Sequence, residues 1–320
     1  MPGTCPNARA IALIGPQSSG KTSLLEAILA QTGALDRSSQ NGTRAFGDFS
    51  AEAKARDMGT DVNIATTAFM GDRYTFLDCP GSIELMQETL NVLAGCDAAI
   101  LVTETDPERI VGLTPLLKGL EDLQIPRIIF ANKVDIAGGA VQDLASSLQN
   151  ISQVPVILRH IPVVESDNAV RGYIDLAHER AYVYAKGGPS AIGEIPAELA
   201  DSADAARYTM LETLADYDDH LMEELLEDVV PPKDEIYQDL AHDLRHGLVV
   251  PVLMGSAANQ NGVFRLLKAI RHEVPGIEAL CARQRFRPPK DRGVAQILKT
   301  VHQPHMGKLS IARIVNGAIT

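Results

Sequence analysis

Short continuous apolar runs recur along the chain, and several of them end in glycine or polar residues. "ARAIALIG" at 8–15 leads into "KTSLLEAILAQTG" at 21–33, whose apolar positions repeat at helical spacing, so strand, loop and helix are predicted in that order. "TAFMGDRYTFLD" at 67–78 predicts two strands joined by a Gly-Asp turn. "DAAILVTE" and "PRIIFANK" are unbroken apolar runs of the kind that fill buried parallel strands, and each follows a helical stretch. A helix near 140–150, the run "VPVILRHIPV", the buried strand "LVVPVLMGSA" and a helix through "GVFRLLKAIRHEV" complete the series. This alternation predicts an α/β fold with a doubly wound, mostly parallel sheet and its ligand at the carboxyl ends of the strands.

Two stretches break the rhythm. An α/β insertion is expected at about 156–248, with a long helix that sets Leu211, Leu214, Leu221 and Leu225 on one face. From about 286, prolines mark a linker, and two β-rich runs follow. Two strands do not make a stable domain. The expected organisation is a nucleotide-binding domain over 1–285 and, over 286–320, a linker and the truncated start of a β-barrel domain.

Length and composition fit a globular protein: 320 residues, 45% of them apolar. No apolar run approaches the ~18 residues that span a bilayer, and the N-terminal run is too short for a signal peptide. Cys5, Cys79, Cys96 and Cys281 show no metal spacing and read as reduced thiols, so a cytoplasmic protein is expected. The net charge is −12, but Glu194–Asp243 holds 16 acidic and two basic residues, leaving about +2 for the rest. Overall acidity therefore does not exclude nucleic-acid partners.

"GPQSSGKT" at 15–22 matches G-x-x-x-x-G-K-[ST] between a predicted strand and a predicted helix. Glycines in such a loop let its backbone N–H groups curl around phosphate oxygens, and the helix start at Lys21, Thr22 and Ser23 adds positive potential. Lys21 would reach the β- and γ-phosphates, and the Thr22 hydroxyl would ligate Mg²⁺. The loop residues expected to touch the nucleotide are Gly15, Pro16, Gln17, Ser18, Ser19, Gly20, Lys21, Thr22 and Ser23.

"DCPG" follows a buried strand, which lands Asp78 where a carboxylate can hold Mg²⁺ and Gly81 where its N–H can meet the γ-phosphate. "NKVD" at 132–135 ends a later strand. Asp135 can accept two hydrogen bonds from guanine that adenine does not offer, Asn132 would brace the loop, and the Lys133 stem would cover the base. "GSA" at 255–257 ends the last strand, so Gly255, Ser256 and Ala257 join the set, with the Ala257 N–H directed at the guanine carbonyl. Together the four motifs specify GTP or GDP with Mg²⁺ and displace ATPase and small-molecule kinase readings.

The motifs, their order and the insertion resemble the G domain of translation elongation factor G. "GPQSSGKTS", "DCPG", "NKVD", "GSAANQNGVFRLLKAI", "EIPAEL" and "LADYDDHLMEELLED" all look like that family, and "ILKTVHQPHMGKLSIARI" resembles the start of its β-barrel second domain. The resemblance implies a P-loop GTPase that couples GTP to a step on the ribosome, meeting rRNA and, through the acidic insertion, the stalk protein. A monomer with no membrane or DNA partner is expected. Two departures stand out. In the family a histidine that orients the attacking water follows D-C-P-G; here the position is Ser82, which leaves a very slow or non-hydrolysing GTP-binding switch as the alternative. The catalytic set is therefore read as Lys21, Gly81 and Ser82. "ATTAF" aligns with the family segment whose threonine closes over Mg²⁺, which points to Thr60, although Arg56 is displaced and "DM" intervenes.

Overall fold

In the computed structural model, residues 7–35, 59–137, 143–165, 169–185, 190–289, 292–303, 305 and 307–319 are described. Arg56 and the "DM" pair lie outside them. The core is a seven-stranded sheet. Its strands are β1 (Arg9–Ile14), β2 (Asn63–Phe69), β3 (Asp72–Asp78), β4 (Ala98–Thr103), β5 (Arg127–Ala131), β6 (Val156–Leu158) and β11 (Val250–Met254). They lie in the order β2-β3-β1-β4-β5-β11-β6. All neighbouring pairs are parallel except β2 with β3.

Side chains alternate between two cores, one on each face of the sheet. Ala10, Ala12 and Ile14 of β1 join one with Leu101, Ile129 and Val252, while Ile11 and Leu13 join the other with Ile100, Phe130 and Leu253. Helices α1 (Lys21–Gln31) and α7 (Val263–Glu273) cover the second face through Leu24, Ile28, Leu267 and Ile270. Helices α2 (Met86–Leu93) and α3 (Thr114–Asp122) cover the first through Leu93, Leu117 and Leu120. Burial on both faces explains why β4, β5 and β11 are unbroken apolar runs, with no polar alternation. Successive connections leave β1 between β3 and β4, so the strand order turns at β1 and its carboxyl end opens a crevice.

The β2–β3 hairpin turns one residue earlier than its sequence suggests. Met70 (φ 49°) and Gly71 (φ 89°) form the turn, and Asp72 is already the first residue of β3. Two successive positive φ angles give the turn whose twist matches the flanking strands. Asp72 is held in place by hydrogen bonds from Asn7 (2.9 Å) and Arg271 (3.2 Å).

"VPVILRHIPV" divides between two sheets. β6 is the edge of the main sheet, and β7 (His160–Val164) opens a four-stranded antiparallel sheet with β8 (Val170–Asp175), β9 (Arg180–Val183) and β10 (Ala191–Gly193). Arg159 sits at the crossing, fully buried, and its Nη1 donates to both oxygens of Glu273 at 3.0 Å. The expected long acidic helix is two helices, α4 (Ala200–Ala215) and α5 (Asp219–Leu226). Asp218 separates them: its backbone is extended and its carboxylate accepts from the N–H groups of His220 and Leu221. Leu211, Leu214 and Leu221 are buried against Ile236 and Leu240 of α6 (Lys233–His246), with Leu225 partly covered at the edge.

The hairpin β12 (Val294–Gln303) and β13 (Gly307–Asn316) docks on the main domain. Leu298 packs where a Cβ on Gly95 would stand, Arg313 donates to Asp97 at 2.8 Å, and Lys299 bridges Asp61 and Glu88. Among the described residues no helix is long and apolar enough to cross a membrane.

Candidate nucleotide site

The loop after β1 closes tightly because two of its residues have no side chain to obstruct it. A Cβ on Gly15 (φ 145°) would collide with the Val102 carbonyl, and one on Gly20 (φ 93°) with the Asn132 amide. Ser18 also takes a left-handed conformation (φ 64°). Lys21 opens α1 and is 8% exposed; its Nζ donates to the carbonyls of Gly15 and Pro16, each at 2.9 Å. Burial holds the Lys21 ammonium below its usual range, and the Asp78 carboxylate opposes that shift.

Thr22 Oγ1 donates to Asp78 Oδ2 at 2.7 Å. The second Asp78 oxygen and the Ser19 hydroxyl are buried without a hydrogen-bond partner among the described residues. Burial raises the Asp78 carboxyl above its ordinary range, while the Thr22 bond and Lys21 pull it back. A buried lysine, a hydroxyl, a carboxylate with an orphan oxygen and a helix start thus face one cavity of ≈ 280 Å³, which Gln17, Ser18 and Ser23 also line. Gly81 closes it from the other side. A Cβ there would stand 2.6 Å from Lys21 Nζ and 2.8 Å from the Gln17 backbone nitrogen, so only glycine lets the "DCPG" turn approach the loop.

The second half of the site is assembled by Asn132, which is 2% exposed. Its Nδ2 donates to the Ser19 carbonyl at 2.8 Å, and its Oδ1 accepts the Ala257 N–H at 2.9 Å. The Ala257 N–H, assigned from sequence to the base, is thus engaged by Asn132 in this structure. Lys133 (φ 61°) reaches back to the Ser18 carbonyl at 2.8 Å and to Glu104 at 2.6 Å. Asp135 accepts from Asn259 Nδ2 at 2.9 Å through one oxygen; the other is buried and unpartnered among the described residues. Gly255 packs against Phe130 and the Asn261 carbonyl, and Ser256 pairs with Asn261 to close the loop that carries Ala257.

Two sequence-assigned residues stand differently. Thr60 is not among the residues that line the 280 Å³ cavity, whereas its neighbours Gly59 and Asp61 are. Ser82 lines an adjoining cavity of ≈ 610 Å³ with Pro16, Gln17, Glu108 and Arg109, and Gly81 is common to both spaces. Sequence reasoning passed over Glu104 and Asn259. Glu104 ends the "ILVTE" run, a strand carboxyl end like that of Asp78; Asn259 lies two residues past "GSA", with no local signal beyond that.

A mostly parallel sheet with a lysine-bearing loop at its switch point, and an Asn/Asp pair beside it, defines a P-loop nucleotide-binding protein. The chain belongs to the elongation factor Tu GTP binding domain family, whose model matches residues 6–276, and so carries a guanine-nucleotide-binding domain. It is 41% identical over 313 residues to the elongation factor G-like protein of Synechocystis sp. (strain ATCC 27184 / PCC 6803 / Kazusa), covering 97% of this chain and 46% of that protein. To elongation factor G of Rhodopirellula baltica it is 30% identical over 321 residues, covering 94% and 45%. A crystal structure from Thermus thermophilus superposes with a TM-score of 0.81 at 29% identity, covering 97% of this chain and 45% of that one. The chain therefore spans less than half the length of these relatives.

Proposed function

We propose that this chain is the GTP-binding part of an elongation factor G-like protein of the cytoplasm that couples GTP binding and hydrolysis to a step on the ribosome. The observation that carries the reading is the convergence of Lys21, Thr22, Asp78 and Gly81 on one cavity, with the loop at Ser19 tied through Asn132 to Ala257. Names of the relatives support the ribosomal part, and rRNA and the stalk protein are the partners that the resemblance implies.

The orphan oxygen of Asp78 beside the Thr22 hydroxyl suits a hard divalent cation, so Thr22 and Asp78 are the residues that would hold Mg²⁺, with Thr60 as a further candidate. Bound there, the ion supplies charge neutralisation to the phosphates. Lys21 would exchange its two loop carbonyls for phosphate oxygens, and the Gly81 N–H would donate to the terminal phosphate. Asp135, with one unpartnered oxygen, would read the guanine edge.

A second reading, a GTP-binding switch that turns over slowly or not at all, is favoured by Ser82. It has neither an imidazole nor a place on the wall shared by Lys21 and Thr22. The deciding experiment is titration of the chain with GDP, GTP and ATP with and without Mg²⁺, followed by single-turnover hydrolysis by the full-length protein with purified ribosomes. Comparable ATP affinity would sink the guanine assignment. Ribosome-stimulated turnover selects the first reading over the second.

A further inference from the structure

A cleft of ≈ 780 Å³ opens beside α6 and α7 and shares no lining residue with the nucleotide cavity. Its walls carry Arg245, Lys268, Arg271, His242, His246 and His272. Such a concentration of cationic and protonatable groups is conspicuous in a chain of net charge −12, and α6 belongs to its most acidic segment.

The nearby carboxylates neutralise only part of this wall. Glu273 is taken by the buried Arg159, and Asp175 by Arg265 at 2.7 Å. Asp72 is shared between Arg9 at 3.8 Å and Arg271 at 3.2 Å, two cations on one anion. Asp243 lies 3.0 Å from His242. Asp234 is the remaining carboxylate on the cleft wall. Arg245 and Lys268 make no ion pair among the described residues; the Lys268 ammonium lies 5.1 Å from the Phe264 ring centroid. Burial and then the neighbouring cations Arg271, Arg265 and Lys268 hold the His272 imidazole below its ordinary range, with Glu273 opposing. His178, also on the cleft wall, is lowered by burial and by Lys233, Arg265 and Arg180, against Asp175. The groups therefore crowd one another, and a bound anion would relieve that repulsion.

We propose that this cleft is a second anion site, separate from the nucleotide pocket, that takes phosphate groups. Phosphate suits the donors better than a carboxylate does. It brings up to two charges and several acceptor oxygens, which matches the forked donors of Arg245 and Arg271, the point charge of Lys268 and the exposed imidazoles. Met70, Tyr237 and Ala241 add less polar surface to the lining, and the cleft's volume exceeds the need of one phosphate. The phosphates can come from a free polyphosphate or from the backbone of an RNA strand, and the experiment separates these sources. The site follows from the cleft itself and does not depend on the ribosomal reading.

The chain is first saturated with GDP so that the nucleotide pocket is filled. Binding of inorganic pyrophosphate, of a short unstructured RNA oligonucleotide and of a poly-glutamate peptide is then measured by calorimetry at low and moderate salt. Binding of pyrophosphate assigns a free-phosphate source; binding of RNA without pyrophosphate assigns a backbone source. Either should weaken roughly tenfold or more in the Arg245→Glu/Lys268→Glu double variant, with GDP affinity unchanged. The neutral pair Arg245→Ala/Lys268→Gln, which introduces no repulsion into the fold, should weaken it in the same direction. Absence of both ligands from the wild-type chain, undiminished binding by folded variants, or preference for poly-glutamate overturns the proposal.

Discussion

The Asn132 side-chain amide donates to the Ser19 backbone carbonyl at 2.8 Å across 113 residues of sequence. That one bond joins the phosphate loop to the loop that would read the base, and the same side chain holds the Ala257 N–H. Two buried backbone groups would be stranded together if it were removed. Asn132→Ala is expected to cost ~1–3 kcal/mol, roughly a 5- to 150-fold loss of both GDP and GTP affinity. Titration with a fluorescent guanine nucleotide checks this; unchanged affinity would mean that the two loops are positioned independently.

Asp135 carries one oxygen on Asn259 and one with no partner among the described residues. Asp135→Ala is expected to lower guanine-nucleotide affinity by roughly 10²-fold or more while leaving any residual ATP binding untouched. Competition between GDP and ATP for the variant measures the difference. A variant that keeps its guanine preference would show that selectivity resides elsewhere.

Ser82 stands beside Gly81 but on the wall of the adjoining cavity. A histidine there has the length to extend past Gly81 toward the phosphate side. Loss of one preorganised transition-state contact costs ~10²–10³ in rate, so Ser82→His is expected to raise single-turnover hydrolysis without changing GTP affinity. Fast stimulated turnover by the unaltered protein, with a neutral or harmful effect of the substitution, would remove the slow-switch reading.

Asp239 titrates far above its ordinary range, at about 7, because it is buried and crowded by Asp218, Asp243 and Glu235. The folded state therefore holds a proton between about pH 4 and 7 that the unfolded chain, with its carboxyl near ~3.9, has lost. Stability from this group rises as pH falls from 7 toward 4 and is lost as pH rises through 7. Asp239→Asn should accordingly raise the Tm at pH 8 relative to wild type and lose most of that advantage at pH 5. Equal Tm differences at the two pH values would show that crowding at Asp239 is not relieved by protonation.

The phosphate loop, the strand-end carboxylates and the α/β alternation were legible in the sequence because each is local. A buried strand, a glycine turn and a helix start occupy consecutive residues, and their chemistry follows from their spacing. The split of the acidic helix was nearly legible: Asp218 is a strong cap, but the leucine stripe continues across it with little change of face. Tertiary structure alone decided the rest. It placed Ser82 on a different wall from Lys21, engaged Ala257 through Asn132, and sent "VPVILRHIPV" into two sheets at Arg159. It also gathered Met70, His178, Arg245 and Lys268 into one cleft. These outcomes depend on contacts between residues tens to hundreds of positions apart, and no periodicity or spacing along the chain encodes which distant groups the packed sheet and helices will bring together.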